Sequence, residues 1–192
     1  MSLRKTVVAF TGLVAAAVLF AALAPGRPDA STRAARGQYL VASIGCADCH
    51  ASKVLGPEGP EPDMTRFLAG HSETEALPAP PQLPVGPWMA IFSADLTAWS
   101  GPWGISYAIN LTPDENTGIG SWSEDTFVKA LRTGRHMGVS RPILPPMPWT
   151  AFRNLTDEDL RSIFAYLRTI PPVHNRVPEP VPPVAAATDV SK

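Results

Sequence analysis

Cys46-Ala47-Asp48-Cys49-His50 holds both cysteines of the chain, and a histidine directly follows the second. Thiols three positions apart lie within one helical turn, so five residues present two sulfurs and an imidazole together. Four chemistries compete for this spacing. A disulfide would close too small a loop to add much stability. A thioredoxin-like redox pair opens a helix after a strand, whereas the residues before Cys46 read as amphipathic helix. Zinc calls for a second ligand pair, and His71, His136 and His174 are scattered. Haem meets every requirement, because the two thiols can reach its two vinyl groups as thioethers while His50 comes to lie beneath the iron. One motif implies one haem c, attached through Cys46 and Cys49.

His50 leaves one axial position on such an iron, and its occupant separates electron transfer from small-molecule chemistry. Met147 is the leading candidate. It sits in Arg141-Pro142-Ile143-Leu144-Pro145-Pro146-Met147-Pro148-Trp149, where prolines on both sides stiffen the backbone and leave a thioether little entropy to lose. Met147 as a filler of an apolar gap is the plainer alternative. Met137, beside His136 in a glycine-flanked loop, is the runner-up, and His136 is itself a candidate ligand. Met64 and Met89 are read as surface or gap-filling residues, and His71 and His174 as solvated loop residues. Histidine/methionine ligation raises the potential, so the chain is expected to accept electrons from a weak reductant.

Haem attachment through two cysteines operates outside the cytoplasm, and the N-terminus supplies an independent sign of export. Arg4 and Lys5 precede an uncharged apolar run over residues 6–24, the pattern of a secretory segment. The run exceeds the usual h-region of about 7 to 15 residues and is long enough to span a bilayer. Ala22-Leu23-Ala24 offers small residues for cleavage, but Pro25 makes that a poor site, so a cleaved signal and an uncleaved anchor are both open. The expected location is the periplasm, or the periplasmic face of the inner membrane. Charged residues make up 17% of the chain against roughly 25% in ordinary soluble domains, and the net charge is -1. No basic surface recommends nucleic acid as a partner.

Three boundaries follow: residues 1–30 as signal or anchor plus linker, 31–173 as a single domain, and 174–192 as a proline-rich tail, disordered or draped. A first helix is expected from Ser31 to Ile44, with Gly37, Leu40 and Ile44 on one face. Residues 51–103, rich in proline and glycine, read as a long loop with one helical turn. The chain has 22 prolines, which argues against a strand-rich pattern. Ser121-Trp122-Ser123-Glu124 reads as a capping box for a second helix stopped by Gly134. Thr156 and three acidic residues open a third helix, which Pro171-Pro172 ends.

The segment Arg36-Gly37-Gln38-Tyr39-Leu40 ahead of Cys-Ala-Asp-Cys-His, the proline-rich methionine loop and the closing helix together resemble a class I c-type cytochrome. Asn110-Leu111-Thr112-Pro113-Asp114-Glu115-Asn116-Thr117-Gly118-Ile119-Gly120 and the residues after it resemble a segment of exported cytochrome c subunits of bacterial dehydrogenase complexes. The resemblance covers roughly residues 36–173. It implies an all-α, cytochrome c-like fold of three to four helices around one covalent haem, with long Pro/Gly-rich loops. It also implies His50 and Met147 as proximal and distal ligands, and Gly37 and Tyr39 crossing the last helix near Tyr166. Asn110 to Gly120 would form an ordered loop beside the haem, its glycines required by backbone shape.

The dehydrogenase subunits typically carry several Cys-x-x-Cys-His motifs and this chain has one, so a multi-haem relay within it is excluded. The expected function is single-haem electron transfer from a periplasmic or membrane dehydrogenase to an oxidase or another cytochrome. The chain is not expected to be an enzyme. A haem enzyme or gas sensor with an open distal site is the alternative.

Overall fold

A computed structural model of the protein describes residues 29–81 and 86–183, so the apolar run over residues 6–24 and the end of the tail lie outside it. Helix α1, Ala30–Ser43, starts where the Asp29 carboxylate accepts the Thr32 amide at 2.8 Å and buries Gly37, Leu40 and Val41. Its partner is the last helix, α5, Asp157–Leu167, whose Thr156 hydroxyl accepts the Asp159 amide and whose first turn carries Asp157, Glu158 and Asp159. Leu160, Ile163, Phe164 and Leu167 of α5 form the buried stripe. A Cβ added to Gly37 would stand 1.9 Å from the Ser162 carbonyl oxygen and 2.8 Å from the Tyr166 Cβ, so the two backbones touch where glycine allows it. Tyr39 does not share that crossing. It is 61% exposed, because it lies on the far side of α1 from the buried face, with the Arg36 guanidinium over its ring.

Between them, α2, Cys46–His50, follows α1 after Gly45, which turns in the left-handed region at φ 72°. Helix α3, Glu124–Thr133, is capped by Ser123 rather than Ser121: the Ser123 hydroxyl accepts the Thr126 amide, and Gly134 ends the helix at φ 65°. A short α4, Trp149–Phe152, precedes α5. Arg33 of α1 meets Glu158 at 2.8 Å and Glu124 at 3.6 Å, and Arg161 of α5 meets Asp125 at 3.0 Å, so ion pairs join α1, α3 and α5 above the shared core. That core gathers Leu40, Val41, Leu68, Ile119, Phe127, Leu131, Leu160 and Phe164.

The all-α expectation is overturned. About a third of the described residues are helical, and two antiparallel sheets accompany them, making a mixed α/β fold. Strands β1, Lys53–Gly56, and β2, Gly59–Pro62, form a hairpin with Lys53 opposite Pro62. Strands β3, Ile91–Phe92, β4, Ala98–Gly101, and β5, Gly104–Tyr107, form a meander with Trp99 opposite Ser106. The supposed loop over residues 51–103 therefore carries most of the sheet structure. Strands of two to four residues are too short to show a period of two, and the prolines of β2 belong to a two-stranded ribbon in which each strand has a free edge.

His71 is likewise not a solvated loop residue. It is 1% exposed, with Nδ1 2.7 Å from the Thr97 hydroxyl and its ring 4.9 Å from that of Tyr107. Asp95, in the β3–β4 turn, accepts from the Ser93 hydroxyl at 2.6 Å and from the Thr97 amide at 3.2 Å. Burial alone would raise its pKa, but those hydrogen bonds outweigh burial and hold the carboxyl below its ordinary value. A lowered folded-state pKa stabilises above the unfolded-state value, about 3.9, and that contribution disappears as pH falls through the folded-state value. Asp95→Asn should therefore be about 1 kcal/mol less stable than wild type at neutral pH, for weaker hydrogen bonds. Urea unfolding across acidic pH should show the gap closing as wild type loses its advantage.

Beyond Val173 the chain lies along the body as far as Pro183. Asn175 is fully buried: its amide nitrogen donates to the Ala69 and His71 carbonyls at 2.7 and 2.8 Å. Its amide oxygen accepts from Arg66 at 2.8 Å and from the Glu73 amide at 2.9 Å. Val181 then pairs with Ile105 of β5.

Candidate cofactor-binding site

A cavity of about 390 Å³ opens between α2, the α3–α5 face, β5 and the loop before α4. Cys46, Cys49, His50 and Met147 all line it, so residues about a hundred positions apart in sequence meet at one space. Phe127, Leu131, Ile163 and Leu167 supply apolar wall from the helices, and Leu111 and Trp122 from the segment before α3. A cavity of this predominantly apolar lining suits a flat hydrophobic group.

The α2 turn is held from both ends. At Gly45 a Cβ would stand 2.4 Å from the Asp48 carboxylate, and Lys53 donates to the Ala47, Asp48 and Ala51 carbonyls at 2.6–2.9 Å, capping the C-terminal end of the turn. Neither thiol is disulfide-bonded. Burial pushes the Cys46 thiol up to about 11 and raises Cys49 as well, so both are neutral thiols.

His50 is 8% exposed. Its Nδ1 lies 2.8 Å from the Ile109 carbonyl oxygen, which can only accept, so Nδ1 carries the hydrogen and Nε2 is left with a free lone pair. Burial lowers the His50 pKa, favouring the neutral imidazole that a metal needs. The Ile109 carbonyl is itself fixed. The adjacent Asn110 is buried, its side chain donating to Val173 at 2.8 Å and accepting from the Thr112 amide and hydroxyl. Asp114 closes the following turn by accepting from the Thr117 amide and hydroxyl. Gly118 and Gly120 are required by close approach, since a Cβ would stand 2.2 Å from the Thr112 carbonyl oxygen and 2.5 Å from that of Pro113.

Of the other ligand candidates, Met64 and Met89 are exposed and away from the cavity. Met137 is 43% exposed at φ 55° and does not line it either. His136, its neighbour, does line it, and its ring stands nearly perpendicular to that of Trp122 with the centroids 5.3 Å apart. Ser106 and Trp99, which border the same space, carry no motif of their own. The Gly101-Pro102-Trp103-Gly104 turn between Trp99 and Ile105 was the available sign of a hairpin there.

Two neutral thiols, an imidazole with an unshared Nε2 and a thioether around one apolar cavity form a donor set that fits haem c. The comparisons with known proteins agree. No protein-family model matches. Over 134 residues, 70% of this chain, the sequence is 33% identical to the fructose dehydrogenase cytochrome subunit of Gluconobacter japonicus. Over 155 residues, 80% of this chain, it is 32% identical to the gluconate 2-dehydrogenase cytochrome c subunit of Pantoea cypripedii.

The chain is a homologue of dehydrogenase cytochrome c subunits. It is also 26% identical over 147 residues to a diheme cytochrome c-type protein of Cereibacter sphaeroides. The chain spans between 7% and 39% of the length of the curated relatives it matches. The cytochrome subunits among these homologues are electron-transfer components of dehydrogenase complexes rather than catalytic enzymes themselves, and they imply haem c.

Proposed function

We propose that this chain is a single-haem c-type cytochrome of class I, attached through Cys46 and Cys49, with His50 and Met147 as axial ligands. It takes electrons from a dehydrogenase and passes them to an oxidase or another cytochrome. The observation that carries the reading is the convergence of Cys46, Cys49, His50 and Met147 on one apolar cavity. Bound there, the haem would supply a one-electron couple. The chain's own part is to hold the imidazole in one tautomer through Ile109, to keep water from the cavity with Phe127, Leu131 and Leu167, and to present the Met147 thioether on a proline-braced loop. Both cysteines lie in one motif, which supports a single attachment.

The donor is assigned from the relatives, whose names place them in fructose and gluconate dehydrogenases. A periplasmic location, with or without a membrane anchor over residues 6–24, follows from the apolar N-terminal run and the Cys-x-x-Cys-His motif. Among the described residues no helix is long and apolar enough to cross a membrane.

The test is the visible spectrum of the haem-loaded protein in ferric, ferrous and ferrous-plus-carbon-monoxide states. Wild type should be low-spin and bind carbon monoxide only weakly. Met147→Ala should turn high-spin and bind the gas at least about tenfold more tightly, the equivalent of about 1.4 kcal/mol, because no protein ligand has to be displaced. A wild type that binds carbon monoxide freely would instead favour a haem enzyme or gas sensor. A Met147→Ala spectrum unchanged from wild type would move the distal role to His136.

A further inference from the structure

The strand that leads into the His50 contact also touches the loop on the opposite wall of the cavity, and we infer that Ser106 is a positioning residue for Met147. The inference rests on the proposed His50/Met147 site.

Ser106 is a buried residue of β5. Its hydroxyl donates to the Pro145 carbonyl at 2.5 Å and receives the Trp103 indole N–H at 3.3 Å. The Trp99 carbonyl, at 3.5 Å, is too distant to compete for its single hydrogen. Pro145, Pro146 and Pro148 have no N–H, so the loop has few means of tying itself down. Among the described residues, the Ser106 hydroxyl makes the only hydrogen bond between residues 144–147 and any segment beyond α4. Before that stretch, the Ile143 amide donates to Gly134 at 2.8 Å. After it, the Trp149 ring packs on Gly134, where a Cβ would meet it at 2.3 Å. Met147 thus lies between two anchors on Gly134, and Ser106 holds the span between them.

Three residues beyond Ser106, the Ile109 carbonyl receives His50 Nδ1. One short segment therefore fixes the distance between the two groups that would flank the iron. Loss of the Ser106 hydroxyl should release the Met147 side and leave the His50 side intact, which a general loosening of the fold would not do.

The experiment compares haem-loaded wild type, Ser106→Ala, Ser106→Thr and Ser93→Ala. Ser93 sits at the β3–β4 end of the same sheet and does not touch the methionine loop. The readouts are the weak red absorption band of a thioether-bound ferric haem and the affinity of the ferrous protein for carbon monoxide. Ser106→Ala should load haem like wild type, lose part of the red band and bind carbon monoxide about three- to tenfold more tightly, the yield of one lost hydrogen bond. Ser106→Thr, which keeps the hydroxyl, should restore the band, and Ser93→Ala should match wild type; the Ser106→Ala and Ser93→Ala pair decides if the threonine misfolds. A red band in wild type that Ser106→Ala leaves untouched, or that Ser93→Ala weakens equally, overturns the inference alone. Absence of the band in wild type overturns the Met147 ligation on which it rests.

Discussion

Gly37→Ala should destabilise the haem-loaded protein by about 3 kcal/mol, within the upper range of overpacking at a filled interface. The sign is what makes the result decisive. In an exposed helix, replacing glycine by alanine stabilises by about 1 kcal/mol, because alanine loses less backbone entropy on folding. In α1 the new methyl would stand 1.9 Å from the Ser162 carbonyl oxygen, an atom of the α5 backbone that no rotamer change can move. The helices must part, and Leu40 and Val41 then lose contact with the α5 stripe. Guanidinium unfolding followed by helical circular dichroism gives the number. A midpoint unchanged or raised would mean that the crossing is looser than the structure has it. Tyr39→Ser, two positions along on the exposed side, should change the unfolding free energy by less than about 0.5 kcal/mol.

Asn175→Ala is expected to cost a similar amount, about 3 kcal/mol, by a different route. The side chain satisfies the Ala69 and His71 carbonyls, the Glu73 amide and Arg66 at once, and it is fully buried. Truncation leaves those four partners without their bonds where water has poor access, and such groups cost about 1–3 kcal/mol each before relaxation. Asn175→Asp separates hydrogen bonding from volume. It keeps the acceptor facing Arg66 and Glu73 but turns a donor into an acceptor in front of two carbonyl oxygens, so it should be at least as damaging as alanine. Calorimetry of the three proteins, with limited proteolysis of the tail, checks both. An aspartate variant as stable as wild type would show that the amide does not make these bonds in solution.

What could be read from the sequence divides along physical lines. The helices with caps and apolar stripes, Ala30–Ser43, Glu124–Thr133 and Asp157–Leu167, announce themselves because a side-chain cap and a 3.6-residue period are local signals. The five strands do not, since their pairing is settled by contacts between segments that each hold four residues or fewer. Cys46, Cys49, His50 and Met147 could be singled out because their chemistry is rare and their spacing or proline setting unusual. Ser106, Ile109, Asn110 and Asn175 could not. Their parts are played by one hydroxyl, one carbonyl and two amides, groups so common that only their partners distinguish them. His71 belongs with them, since a histidine among polar residues reads as solvated until Thr97 and Tyr107 close over it.

The tail between Val173 and Pro183 gives the cavity a history in time. Pro180 lines the cavity, and Val181 pairs with the strand that forms one of its walls. During synthesis Cys46 and Cys49 emerge long before either residue exists. Until those two residues follow, the two thiols face a pocket that Pro180 does not yet border. Chemistry at those sulfurs can therefore precede the docking of Pro180 and Val181 beside the cavity.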